Sequence, residues 1–213
     1  MTDWQHPTGK VPKSVLVIAL GPTKQGLLEL TTKHEPPPEV MDVDELWGMN
    51  GGVNHLAGRV AYDVLWIMDH LDGEAHRLPR YAELIRRWQT RFGSPIITSQ
   101  AGAWAGSPGV HEYPLAQVLQ RFGNDHAYFH NSVPYILAYA LMIGVERLVL
   151  WGADYSHEAI KRREDDRANA EYWVGYCRAK GMKVQVPQDT TLLNTDRQPW
   201  FYGYREQPLH VLS

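Results

Sequence analysis

A single cysteine, Cys177, stands in a chain of 213 residues. That excludes an internal disulfide and a thiolate zinc cluster, and it fits a reducing, cytoplasmic setting. No apolar run approaches the ~20 residues a membrane-spanning helix needs. The opening MTDWQHPTGK has no apolar signal-peptide core. Neither charge sign dominates: the formal net charge is −3 and the pI about 6.4. No global basic field draws the protein onto nucleic acid, although a local patch could still meet DNA. Repeats and low-complexity tracts are missing. So are H-E-x-x-H, G-x-S-x-G and Walker A, which leaves zinc hydrolysis and acyl transfer without support. Aromatics, by contrast, are plentiful, with eight tryptophans and eleven tyrosines. Most are expected in the core, and some could serve as flat walls for a sugar or a base. A length of 213 residues, 44% hydrophobic, reads as one domain spanning 1–213.

Residues 131–155 (NSVPYILAYALMIGVERLVLWGADY) carry the most information. Val133, Ile136, Leu137, Ala140 and Leu141 recur at helical spacing. Gly144 stands where a left-handed cap ends such a helix. Leu148 to Trp151 is a continuous apolar run, as in a strand covered on both faces. Gly152 and Asp154 follow at its carboxyl end, the edge where open α/β sheets bind ligands. The same alternation runs through the chain. Strands are predicted at 14–20 (SVLVIAL), 45–49 (ELWGM), 64–68 (VLWIM), 95–98 (PIIT) and 183–186 (KVQV). Helices are predicted at 79–91 and 168–180. The expected fold is a single α/β Rossmann-like domain with a mainly parallel sheet and helices on both faces, its core at about 14–204.

Residues 99–113 (SQAGAWAGSPGVHEY) read as a long loop centred on Trp104. Residues 157–167 (HEAIKRREDDR) read as a solvated charged surface, or alternatively a lid.

Candidate ligand groups cluster at the predicted strand ends. Gly21-Pro22-Thr23 could bind phosphate through backbone N–H groups, or be a plain strand-to-helix turn. Asn50 and Gly51 follow the second strand, where glycine permits close approach to a ligand and a type I′ turn is the bland alternative. Asn131 and Ser132 open the long helix; either can cap it, and the same terminus attracts an anion. Asp69 and Asp72, around His70, follow the third strand, where a metal–diphosphate clamp or helix capping explains them equally. Asp42-Val43-Asp44 precedes a strand and is discounted as a metal motif. Among ten histidines, His126 and His130 (DHAYFHNS) lead into the helix start. Imidazole exchanges protons near neutral pH, so either could deprotonate an attacking hydroxyl.

Taken together, strand–Gly-Pro-Thr, strand–Asn50, the histidine segment, Asn131-Ser132, Gly144-Val145-Glu146-Arg147 and Gly152-Ala153-Asp154 form a recognisable series. It resembles the core of the bacterial sialyltransferases of glycosyltransferase family 42 and the related Maf-type flagellin-glycosylation proteins. Val186-Pro187 and Thr191-Leu192-Leu193 resemble the end of that core. The layout is most similar to small phage-encoded members, through Ser132, Asp154, Glu171-Tyr172 and Tyr202-Gly203-Tyr204. The resemblance covers most of 14–204, and 126–194 carries it best. It implies a nucleotide-sugar transferase with no strict metal requirement. Gly21, Pro22, Thr23, Asn50, Gly51, Asn131, Ser132, Asp154 and Tyr155 would then hold the donor. His126 or His130 would be the base, with His126 the nearer match in position. Asn131 and Val133 depart from the family's Thr-Ser-Gly.

The leading expectation is an inverting glycosyltransferase with a nucleotide-sugar co-substrate. Phage context suggests a hydroxymethylated base, such as 5-hydroxymethylcytosine, in DNA as acceptor, met by Arg77, Arg80, Arg86, Arg87 and Arg91. Asp69, His70, Trp104 and Glu171 are further candidates for acceptor or metal contact. The alternatives are a non-catalytic nucleotide sensor and an Mg2+-dependent nucleotidyl or pyrophosphoryl transferase.

Overall fold

Short runs of β-branched, leucine and tryptophan residues set the centre of the sheet, because a parallel strand packed on both faces needs apolar side chains on both. A computed structural model of the chain describes residues 4–21, 42–50, 62–69, 77–104, 107–155, 161–187 and 190–193. The strands are β1 (Ser14–Ile18), β2 (Glu45–Met49), β3 (Val64–Ile67), β4 (Ile96–Thr98), β5 (Val110–Glu112), β6 (Arg147–Trp151) and β7 (Lys183–Gln185). The helices are α1 (Arg77–Phe92), α2 (Leu115–Phe122), α3 (Ser132–Ile143) and α4 (Lys161–Ala179). Two 3-10 turns cover Ala101–Trp104 and Asn124–His126. No helix among the described residues is long and apolar enough to cross a membrane.

The sheet has the order β5-β4-β3-β2-β1-β6-β7, and every pairing is parallel. From β1 the chain adds strands outward to β5, then returns to place β6 against the other side of β1. The order therefore reverses between β1 and β6, and their carboxyl ends flank a topological switch point.

Alternation along β1 divides the core in two. Val15 and Val17 pack with Ile136, Leu137 and Tyr139 of α3 and Trp173 of α4. Leu16 and Ile18 face the other way, toward Tyr62 and the α1 residues Ile85 and Trp88. Helices thus cover both faces, as the strand–helix alternation predicted. Four tryptophans (47, 66, 88 and 173) are wholly buried, so aromatic abundance is largely core.

The amino-terminal segment is held to the sheet by a buried polar cluster. His6 bridges the Tyr139 hydroxyl at 2.7 Å and Glu45 Oε2 at 2.9 Å. Glu45 also accepts from Trp47 Nε1 and Thr8 Oγ1. Burial alone would raise the Glu45 pKa, but these donors outweigh it and hold the carboxylate below its ordinary range.

Several boundaries differ from the sequence expectation. The supposed 99–113 loop contains the 3-10 turn and β5, which among the described residues is an edge strand paired with β4. Helix α2 follows it, unforeseen. The charged run was expected as surface or lid, but from Lys161 it forms the first turns of α4, seven residues before the expected start. The discounted Asp44 is a structural pin: its Oδ2 accepts from the N–H groups of Lys13 and Ser14, which lowers its pKa.

Candidate functional site

At the switch point the parallel pairing of β1 and β6 continues past the ends of both strands. Gly21 N–H donates to the Gly152 carbonyl at 2.6 Å, and Ala19 N–H to Trp151 at 2.7 Å. A Cβ at Gly21 would sit 2.5 Å from Asp154 Oδ2 and 2.6 Å from the Gly152 oxygen. Only glycine fits there. Its N–H is spent joining the two strands, so Gly21 contributes proximity rather than the phosphate donor expected from Gly-Pro-Thr. Pro22 and Thr23 lie outside the described residues.

Above this junction opens a cleft of about 710 Å³, within the range of small-molecule sites. Gly21, Asn50, Asp69, His130, Ser132 and Asp154 are among the residues lining it. Positions more than a hundred residues apart meet here because Gly21, Asn50, Asp69 and Asp154 each follow a strand of the same parallel sheet, while His130 and Ser132 stand at the amino-terminal end of α3.

Asn131, in extended conformation, is the cap of α3, its Oδ1 accepting from Val133 N–H at 3.0 Å. The same oxygen accepts from the Tyr155 hydroxyl at 3.2 Å, and Nδ2 donates to the Asp166 carbonyl at 2.9 Å. Asn131 is thereby a brace between α3, β6 and α4, and Ser132 opens the helix on the cleft wall. Burial, with Asp166 nearby, drives the Tyr155 pKa upward, so its hydroxyl stays a neutral donor. The Tyr155 N–H donates to Thr191 Oγ1, and the Thr190 hydroxyl lies 3.0 Å from Asp154 Oδ1. The Thr190–Leu193 turn therefore fixes the end of β6.

Asn50 has φ +44°, a left-handed conformation that asparagine tolerates better than most residues. Its Nδ2 donates to Asp69 Oδ1 at 3.1 Å. Its Oδ1 is buried and accepts from no group among the described residues, although the residue lines the cleft and is only 7% exposed. An acceptor left so costs about 1–3 kcal/mol, which a ligand donor would recover. Gly51 and His70 fall outside the described residues.

The two candidate histidines part company. His130 lines the cleft. Its N–H donates to Asn169 Oδ1 at 3.0 Å, while Asn169 Nδ2 donates to the Tyr128 carbonyl at 2.7 Å. Asn169 is fully buried and clamps the segment that presents His130. Sequence reasoning missed it, because about forty residues separate the partners. His126 stands away from the cleft lining, its Nδ1 bonded to the Tyr172 hydroxyl and its ring 4.5 Å from that of Tyr176.

Glu171 also serves the scaffold, accepting from Leu193 N–H at 3.0 Å. Trp104 closes the 3-10 turn, and its side chain is outside the description. Among the described residues no three His, Cys, Asp or Glu side chains gather as metal ligands, so the Mg2+ expectation finds no ligand set there. The arginines expected to meet DNA lie on α1, across the sheet from α3 and α4. Arg86 and Arg87 both bond Glu83.

No protein-family model and no curated protein matches the sequence. Solved structures do match in fold. Sialyltransferase CstII from Campylobacter jejuni with a CMP-3FNeuAc substrate analogue aligns at TM-score 0.56 and 14% identity, covering 85% of this chain and 83% of that one. Its complex with cytidine-5'-monophosphate gives 0.52, 16%, 85% and 83%. A point mutant of alpha-2,3/8-sialyltransferase CstII gives 0.55, 12%, 85% and 84%. At such identities the likeness establishes a shared fold.

Proposed function

We propose that this protein is a glycosyltransferase that binds a nucleotide-sugar donor across the β1–β6 crevice. The observation that carries the reading is Asn50: a buried carbonyl oxygen, with no partner among the described residues, on a cleft at the strand-order switch. A ribose hydroxyl or a base amino group would satisfy it. The solved neighbours that share the fold hold CMP and a CMP-sugar analogue in the same kind of architecture. The anionic end of the nucleotide would lie toward Ser132 and the α3 amino terminus, whose dipole favours negative charge.

The chemistry is a single displacement with inversion. An acceptor hydroxyl attacks the anomeric carbon as the bond from that carbon to the phosphate oxygen breaks. The nucleotide leaves with the bonding pair, and His130 takes the hydroxyl proton. Asn169 holds the His130 backbone in place for that step. A hydroxymethylated DNA base as acceptor gains no support from α1, whose Arg86 and Arg87 are engaged by Glu83.

Calorimetric titration with CMP, UMP and GMP, followed by mass spectrometry of donor turnover, tests the reading. One nucleotide binds, and Asn50→Ala weakens it at least tenfold. His130→Ala keeps the affinity and abolishes sugar transfer. Binding with no turnover of any donor would favour a sensor, and absence of nucleotide binding would refute the proposal.

A further inference from the structure

We infer that Asp69 determines specificity: it holds the Asn50 amide so that the cleft offers a hydrogen-bond acceptor, and thereby selects a base edge that donates from an amino group. This selectivity presupposes the nucleotide reading of the cleft and names the class of base it takes. Asn50 Nδ2 donates to Asp69 Oδ1 at 3.1 Å. An ionised carboxylate has no hydrogen to give, so an amide beside it must turn its NH2 that way. A flipped amide would set two acceptors against each other. The two ends of an amide have nearly the same shape, and here the carboxylate decides between them. The Asn50 oxygen is left for the ligand.

The rest of the residue is fixed as well. Its backbone N–H donates to the Trp66 carbonyl at 2.7 Å. Its Oδ1 is buried and accepts from no group among the described residues. Met49 and Met68, which line the cleft with it, bring no side-chain donor. A ligand N–H would satisfy that oxygen. A ligand carbonyl in the same place would leave two buried acceptors facing each other, which costs more than the bond is worth.

Strand order decides which part of a nucleotide reaches Asn50. The residue follows β2, whereas the Asn131–Tyr155 hydrogen bond sets the α3 amino terminus beside the end of β6. Strand β1 lies between β2 and β6. Two strand spacings of ~4.8 Å therefore separate the two ends of the cleft, roughly 10 Å. With the phosphate at the α3 terminus, ribose hydroxyls stay close to it and only the base reaches so far. Asp69 follows β3, on the side of β2 away from β1. It thus meets the amide from behind, opposite the switch point. Asp69 acts through Asn50, as a positioning residue.

Titration calorimetry on the full-length protein compares each amino-bearing nucleotide with its counterpart lacking that group: CMP with UMP, and AMP and GMP with IMP. The tightest-binding amino nucleotide exceeds its counterpart at least tenfold. Asp69→Asn has the same size but can donate as well as accept, so the Asn50 amide is free to turn over. The ratio then falls to within threefold while Tm stays at the wild-type value. Equal loss for both members of the pair in Asp69→Asn would make the residue structural only and overturn the inference. A wild-type preference for UMP or IMP would overturn it without any variant. UMP bound as tightly as CMP, with 2′,3′-dideoxycytidine 5′-monophosphate weakened, would assign Asn50 to the ribose; that overturns the base selectivity and leaves the nucleotide reading standing. Binding of none of these nucleotides would overturn both.

Discussion

Replacing Gly21 with alanine tests the junction on which the site is built. The new Cβ would stand 2.5 Å from Asp154 Oδ2, 2.6 Å from the Gly152 carbonyl and 2.7 Å from Asp154 Cβ. Each contact is about 1 Å inside the usual carbon contact distance of ~3.5–4.0 Å. Two of the three atoms belong to backbone or to a Cβ, so no flexible side chain can swing away. The ends of β1 and β6 must separate instead, which strains packing by about 1–3 kcal/mol. Loss of the Gly21–Gly152 hydrogen bond adds about 1 kcal/mol. In a protein of this length each kcal/mol lowers Tm by roughly 2–4 °C, so Gly21→Ala should melt roughly 4–16 °C below wild type. Because Asp154 lines the cleft, CMP affinity should fall at least tenfold. Gly175→Ala is the comparison. A Cβ there meets nothing within 4 Å in the exposed middle of α4, so it should raise stability by about 0.4–1 kcal/mol. Calorimetric melting and CMP titration measure both variants. A wild-type Tm for Gly21→Ala would refute the contact reasoning. A lowered Tm with unchanged CMP affinity would detach the ligand site from the switch point.

Two other outcomes follow from buried groups. The Glu45 carboxylate has a depressed folded pKa, so its stabilising contribution is present above the unfolded value of about 4.5 and is lost as pH falls below it. Glu45→Gln removes a charged acceptor shared by His6, Thr8 and Trp47, costs about 1.5–3 kcal/mol at pH 7, and flattens the acid side of the stability–pH curve; unfolding curves with unchanged acid sensitivity would contradict this. Burial pushes the Cys177 thiol pKa up to about 12, and Sγ donates to the Leu137 carbonyl, so an aromatic disulfide reagent should react only when the protein unfolds. Rapid labelling of the native protein at neutral pH would contradict that core placement.

Where local pattern carries the structural decision, the sequence was legible. ELWGM at 45–49 and the run ending in Trp151 are strands at or near their expected bounds. Asn131 and Gly144 cap α3 as their residue types suggest. Strand β5 escaped notice because two half-buried residues and one exposed residue on a sheet edge show no apolar signature. The first turns of α4 escaped because KRREDDR has no apolar stripe. They propagate from a packed carboxyl-terminal half anchored by Ala170, Trp173 and Cys177. Two histidines four residues apart look equivalent in sequence. The 3-10 turn at Asn124–His126 and the clamp of Asn169 send one to the cleft and the other to the face of α4.

By itself, then, the sequence determined the alternation of strands and helices, the ends of the central strands and the glycine and asparagine positions that punctuate them, since these depend on neighbours within a few residues. Tertiary structure alone decided the strand order, and with it the meeting of Gly21, Asn50, Ser132 and Asp154 in one cleft. It also left the Asn50 side-chain oxygen without a partner among the described residues. Those outcomes depend on which distant surfaces bury each other most completely, a property of the packed whole that no local spacing records.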